Sequence, residues 1–274
     1  GYANGIVLSY VTTDTVWIDT RQSFPRLGTS FQGGTGICPT RSLSTTVYDF
    51  AKGHPDFGHA SGGTIPGMVG DSLDGDLKPV KLLDTAWNSQ SRVWFRDSSV
   101  VNTSACRDLE LSLDTATGAY RRTDTAYFPI DDLRSLPNGN ASPYNELVAT
   151  PTLPHNHAFC TESHGEFQYA LGQKLTFGGT DDRWFFLGGI LRVDLGGVHS
   201  DTTVSVLLDS MGLVPGRWYP WDLFACQRTD SASRLSISTD MKPNNVPRYL
   251  VTDSIVSAGV RIARIQTTST TGQG

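Results

Sequence analysis

Short apolar runs separated by turn residues dominate the chain, and where they have a period it is two, the spacing of strands. Leu109-Glu110-Leu111-Ser112-Leu113 alternates strictly, apolar in and polar out. Ile6 to Val11 is apolar and β-branched, and Phe167 to Phe177 mixes aromatic and polar residues at strand spacing. Trp184-Phe185-Phe186-Leu187 and Ile190-Leu191-Arg192-Val193 flank Gly188-Gly189. Two glycines between apolar runs predict a tight hairpin, because a primed turn needs positive φ. Thr203 to Leu208, Trp218 to Cys226, Leu235 to Ser238 and Arg248 to Ile255 add further strands. Short helices are expected only near Ser44 to Ala51 and around Ser89 to Phe95. Gly53 to Pro79 and Pro137 to Pro154 read as long irregular loops. The pattern predicts an all-β protein, an antiparallel β-sandwich with long loops and few short helices. It is expected to occupy residues 1–264 as one domain, with 265–274 as a flexible tail or linker.

Composition sharpens that picture. Only 18% of the 274 residues are charged, 38% are apolar, and 28 glycines and 14 prolines supply turns. With 22 Lys+Arg against 27 Asp+Glu the net charge is −5, and no basic run exists, which argues against nucleic acid as a partner. No apolar stretch approaches the roughly eighteen residues of a membrane-spanning helix. The chain starts at Gly1 without Met or a signal-type segment, as expected if a leader has been removed or the chain is part of something longer. Its four cysteines, Cys38, Cys106, Cys160 and Cys226, form no C-x-x-C pair, which excludes zinc-knuckle and thioredoxin chemistry. Two disulfides are expected, with three connectivities open. Two glycosylation sequons, at Asn102 and Asn140, add to the case for an extracellular, secreted protein.

Polar chemistry concentrates between residues 155 and 228. Asp181-Asp182, following Gly178-Gly179, offers hard oxygen ligands for calcium on a backbone that can bend. Adjacent side chains on a strand point to opposite faces, so joint chelation needs an irregular backbone, a cis peptide or a bulge. The plainer alternative is a turn whose carboxylates accept nearby N–H groups. His155 and His157, with His164 or His199, spell a weaker zinc alternative. Glu162, Glu166, Asp181, Asp182 and Asp194 could pair for glycoside hydrolysis. With no G-x-S-x-G, H-E-x-x-H or phosphate loop, the expectation is a non-enzyme. Trp87, Trp94, Trp184, Trp218 and Trp221 could stack on sugar rings, although Trp184 and Phe186 sit at core spacing.

Ordered motifs carry a resemblance. His155-Asn156-His157-Ala158-Phe159-Cys160, Thr180-Asp181-Asp182-Arg183-Trp184-Phe185-Phe186, Val193-Asp194-Leu195-Gly196-Gly197-Val198-His199 and Asp222-Leu223-Phe224-Ala225-Cys226-Gln227-Arg228 resemble the second half of a fibro-slime domain. His54-Pro55-Asp56-Phe57, Trp94-Phe95-Arg96-Asp97 and Tyr127-Phe128-Pro129-Ile130-Asp131 resemble its earlier landmarks, so the likeness covers about 44–240. The resemblance implies a sandwich of the protective-antigen type, shared with flocculins and other surface adhesins. It also implies a calcium ion held by two aspartates joined through a cis peptide, here Asp181 and Asp182, bridging to sugar hydroxyls. Asp194, His199 and Asn156 join them as candidate ligand-binding residues. It suggests Cys160–Cys226 as one disulfide, leaving Cys38 with Cys106. Two departures stand out: Thr180 replaces the first of three family aspartates, and Gln227-Arg228-Thr229 replaces Glu-Arg-His. Fewer ionisable ligands weaken any calcium site.

The chain is therefore expected to be an adhesion or carbohydrate-binding module, with calcium dependence as one option, for glycans or neighbouring surface and matrix proteins. The alternative is a structural subunit of a fibre, coat or appendage. Ile6-Val7-Leu8 and Val260 to Ile265 could then self-assemble by strand addition, though edge strands of the same sandwich are the simpler expectation.

Overall fold

A computed structural model describes residues 7–9, 28–29, 43–51, 53–58, 62–82, 93–96, 98, 101–131, 148–149, 154–229, 232–242, 250–257 and 260–266. Thirteen strands build a two-sheet sandwich. In chain order they are β1 (Leu43–Phe50), β2 (Val69–Leu73), β3 (Pro79–Lys81), β4 (Asn102–Leu109), β5 (Ser112–Asp114), β6 (Ala119–Asp124) and β7 (Phe159–Gln168). Then come β8 (Lys174–Gly179), β9 (Arg183–Leu187), β10 (Ile190–Leu195), β11 (Thr202–Leu207), β12 (Trp218–Gln227) and β13 (Leu235–Thr239). One sheet has eight strands in the order β3-β2-β10-β9-β12-β7-β1-β4, and the other five in the order β11-β8-β13-β6-β5. Every pairing within these two sheets is antiparallel. The fold is an all-β antiparallel sandwich; among the described residues a 3₁₀ turn at Leu208–Met211 joins two of its strands.

The eight-stranded sheet is buried on both faces, which explains its near-continuous apolar strands. Val47, Phe159, Phe167, Phe185, Leu187, Trp221 and Leu223 face the smaller sheet, meeting Leu175, Phe177, Leu235 and Ile237. Tyr48, Phe50, Cys160, Trp184, Phe186, Phe224 and Cys226 face the other way, under Phe57, Met68, Trp94 and Phe95. Residues 53–58 and 62–79 therefore cover the outer face, and they carry a strand, β2, instead of being loop throughout.

Several expectations change. Residues 44–50 belong to strand β1, not a helix: Leu43, Thr45 and Val47 alternate inward, and the β-branched run Thr45-Thr46-Val47 favours a pleat. Of the second expected helix, 93–96 form a turn and 89–92 lie outside the described residues. The alternating Leu109 to Leu113 breaks at Glu110-Leu111, where the chain leaves the large sheet for the small one. Phe167 to Phe177 is likewise two strands. The Gly188-Gly189 hairpin forms as predicted, with φ of 62° and 78°. The terminal strands are not sandwich edges. Residues 7–9, 260–266, 250–257 and 28–29 pair, in that order, as a separate four-stranded sheet.

Candidate functional site: an acidic corner closed by arginine

Thr180-Asp181-Asp182 forms the corner where the chain passes from β8 of the small sheet to β9 of the large one. The corner is tight because Asp181 takes a left-handed conformation, φ 57°, with its N–H donated to His199 O at 3.1 Å. Aspartate tolerates that region better than most side chains. No cis peptide occurs among the described residues, so the Asp181–Asp182 bond is trans, contrary to the expectation drawn from the resemblance.

The left-handed residue turns the two carboxylates to different partners. Asp181 Oδ2 accepts the N–H groups of Arg228 (2.7 Å) and Thr229 (2.9 Å) and the Thr229 hydroxyl (3.1 Å). Asp182 Oδ1 accepts the Gly197 N–H at 2.6 Å, and Oδ2 faces Arg228 Nη1 at 3.4 Å. Gly197 (φ 104°) has no alternative: a Cβ there would meet Gly63 O at 2.7 Å. The Arg228 guanidinium is clamped on its other sides, by Nε to Asp56 O at 2.9 Å and by the Trp94 ring at 5.0 Å. Trp94 is fixed in turn by its own Nε1–H to Asp56 Oδ2, 2.9 Å. Arg183, fully buried, donates to the carbonyls of Asp182, Cys226 and Arg234. Burial is the main force raising the Asp181 carboxyl above its ordinary value, and burial likewise lowers Arg183.

At the positions that depart from the family pattern, neutral groups satisfy one another. Arg234 N–H donates to Thr180 Oγ1, Thr180 Oγ1–H to Gln227 Oε1, and Gln227 Nε2 to Thr229 O and Oγ1, all within 3.0–3.2 Å. Four segments thus meet at one corner: 53–58, 180–183, 195–200 and 227–229, with Arg234 bonded beside them.

The remaining candidates divide. Asp194 belongs to the neighbouring turn: it accepts N–H groups from Gly67, Gly196 and Trp184 Nε1. His199 faces carbonyls of its own loop, Ser200 O at 2.7 Å and Leu195 O at 3.0 Å, and touches the acidic pair only through its backbone. Asn156 bonds Asp49 and Ala158, not the pair. Asn102 is buried, with Oδ1 accepting Ser98 N–H and Nδ2 donating to Val93 O and Arg96 O. In the folded chain its amide has no room for a glycan, which corrects that assignment; Asn140 lies outside the described residues. Cys160 and Cys226 are joined across the neighbouring strands β7 and β12, and Cys106 is also disulfide-bonded. Cys38 lies outside the described residues. The histidines of the zinc alternative disperse: His155 stacks on Phe128 and bonds Asp131, while His164 lies on the outer face of the large sheet. No metal-ligating group of three or more is assembled among the described residues.

Sequence reasoning missed Arg228 as the closing cation and Arg183 as a staple. It also missed a second ionic cluster, in which Glu162 binds Lys78 and Tyr48 while His164 bonds Asp222. One signal was available: Glu162, His164 and Glu166 put ionisable side chains at every second position of one strand.

Calcium takes six to eight oxygens at about 2.3–2.6 Å. Three of the four carboxylate oxygens here accept N–H or O–H donors, one of them facing a guanidinium. Donor hydrogens and a fixed cation repel a metal ion, so the arrangement does not fit calcium.

The proteins to which the chain is similar include three of Dictyostelium discoideum. They are psiQ (34% identical over 208 residues, 73% of this chain and 21% of the relative), psiR (35% over 222 residues, 77% and 22%) and psiD (34% over 217 residues, 73% and 41%). It thus spans between a fifth and two fifths of these relatives. No protein-family model matches. Among solved structures, the PA14 domain of the MpAFP antifreeze protein aligns at TM-score 0.35 and 10% identity, covering 84% of this chain and 96% of that one. The Epithelial Adhesin 6 A domain of Candida glabrata, in complex with Galb1-3GlcNAc, aligns at TM-score 0.32 and 13% identity, covering 89% and 95%. Likeness of that size carries nothing about ligand or activity.

Proposed function

We propose that this chain is an extracellular adhesion module that binds a glycan on the rim formed at the Asp181–Asp182 corner, without turning it over. One observation carries the reading: a single buried acidic turn fixes four segments distant in sequence into one rim. Fixing loops before a ligand arrives reduces the ordering cost of binding. The cystine between Cys160 and Cys226 supports an oxidising, extracellular setting. The carboxylates themselves are buried, so they position the rim, and exposed neighbours such as Ser200, Asp201 and Arg234 would meet the ligand.

A glycan array tests this directly. Binding to a defined set of sugars is expected, lost in the triple Ser200→Ala, Asp201→Ala, Arg234→Ala protein while its thermal unfolding stays unchanged. Silence across a broad array removes the reading.

One feature favours the alternative of a structural subunit. Among the described residues, strand 260–266 pairs on that side only with residues 7–9, which makes it a candidate edge for strand addition. Concentration-dependent filaments in electron micrographs, abolished by a proline at Ile262, would support assembly instead.

A further inference from the structure

We propose that Arg228 stands in place of a metal ion as the counter-charge of the acidic corner, so that this rim is set without calcium. The inference deepens the binding reading above, since it concerns what holds that rim.

Three independent features point to it. The guanidinium is built in, not resting on a surface: its side chain is 5% exposed and it is gripped by Asp56 O, the Trp94 ring and Asp182 Oδ2. A side chain held from three directions does not swing aside for an arriving cation at low cost. Next, the two carboxyl groups already share their pocket with two buried guanidiniums, Arg228 and Arg183. A divalent cation would add like charge to a site of low dielectric, where repulsion is strongest. Last, Thr180 and Gln227 stand where the resembled pattern has acidic residues, and they hydrogen-bond each other, with Thr229 closing the set. A calcium site gains affinity from charged ligands; this corner has replaced them with a closed neutral set. Each feature alone would be compatible with a weak metal site. Together they describe a corner in which the donors and the charge are already supplied by the chain.

The decisive measurements are thermal unfolding and equilibrium dialysis of the whole chain with calcium chloride against EDTA. The native protein is expected to unfold at the same temperature in both and to retain no calcium. Arg228→Gln removes the cation but leaves the acidic pair. It should unfold several degrees lower in EDTA and recover part of that loss in calcium, a response absent from Arg228→Lys. Should Arg228→Gln not fold in EDTA, its rescue by calcium, or by the added Asp182→Asn, supports the same conclusion. Calcium retained by the native protein and abolished by Asp182→Asn overturns the proposal. So does an Arg228→Gln protein that is neither weakened nor calcium-responsive. None of these readouts uses a glycan, so a failed array and a failed counter-ion are told apart.

Discussion

The molecule buries ionic groups in two places, and it builds them differently. At the rim, Asp181 and Asp182 are met mostly by backbone N–H groups and by arginine. On the outer face of the large sheet, Glu162, His164 and Asp222 are met by side chains: Tyr48 from β1, Lys78 from the β2–β3 turn, and one another across β7 and β12. The rim ties loops to a sheet end, where few side chains point inward and the backbone must supply the donors. The outer cluster lies in mid-sheet, where backbone groups are spent on ladder bonds and only side chains remain. Arginine keeps its charge at any accessible pH and its planar fork can hold two partners; lysine presents a point charge on a flexible stem. The rim is therefore expected to be the more rigid of the two, and the outer cluster the more forgiving.

The largest test of that contrast is Asp182→Ala. It strips Gly197 N–H of its acceptor and leaves the Arg228 guanidinium buried without its carboxylate. Breaking one side of a buried ion pair costs about 3–5 kcal/mol. Urea denaturation should show that loss, and a smaller m-value would show the rim opening as well. Separating Cys160 from Cys226 by the double Ala substitution comes next, at about 2–4 kcal/mol for a loop of 66 residues. Because Cys226 N–H bonds Asp182 O, this change should loosen the rim more than the outer cluster. Amide exchange at Gly197 against that at His164 would read the difference. Lys78→Met is the third, expected at about 1–3 kcal/mol because Tyr48 still donates to Glu162. If Lys78→Met proves costlier than Asp182→Ala, the ranking of the two clusters is reversed.

Much of the sandwich could be read from the residues, and the misses share a cause. Gly188-Gly189 announces its hairpin because turn chemistry is local. Leu109 to Leu113 alternates equally well whether the chain stays in one sheet or changes sheets, so periodicity could not see the break at Glu110. The acidic corner was visible as a pair of aspartates after two glycines. What closes it was not, because Arg228 lies 46 residues from Asp182 and Lys78 lies 84 from Glu162. Ion pairing at such separations leaves no spacing in the sequence to recognise. Asn102 shows the converse: its sequon is a local pattern, whereas the three hydrogen bonds that occupy its amide come from the fold.

The smallest effect divides the rim itself. Asp181 and Asp182 are neighbours, yet among the described residues only Asp182 is within ion-pair distance of a guanidinium, while the Arg183 charge acts on Asp181 from further off and lowers it somewhat. The Asp181 carboxyl is raised above its ordinary 3.8 chiefly by burial, with the Asp182 charge adding, and the Arg228 and Thr229 N–H bonds only partly offset this. A carboxyl raised in the folded state holds its proton more tightly there than in the unfolded chain. Its contribution to stability is thus fully present below pH 3.8 and is lost as pH rises through the folded value. Asparagine keeps an oxygen for the Arg228 and Thr229 donors and carries no charge to bury. Asp181→Asn should therefore match the native protein at about pH 3.5 and exceed it at pH 7, by about 1 kcal/mol or less. Asp182→Asn, which takes the carboxylate from Arg228, should lose stability at pH 7. Paired urea titrations at the two pH values separate these outcomes. Equal losses at pH 7 for both variants would mean that Asp181 also serves as a paired charge, and the distinction between the two aspartates would fall.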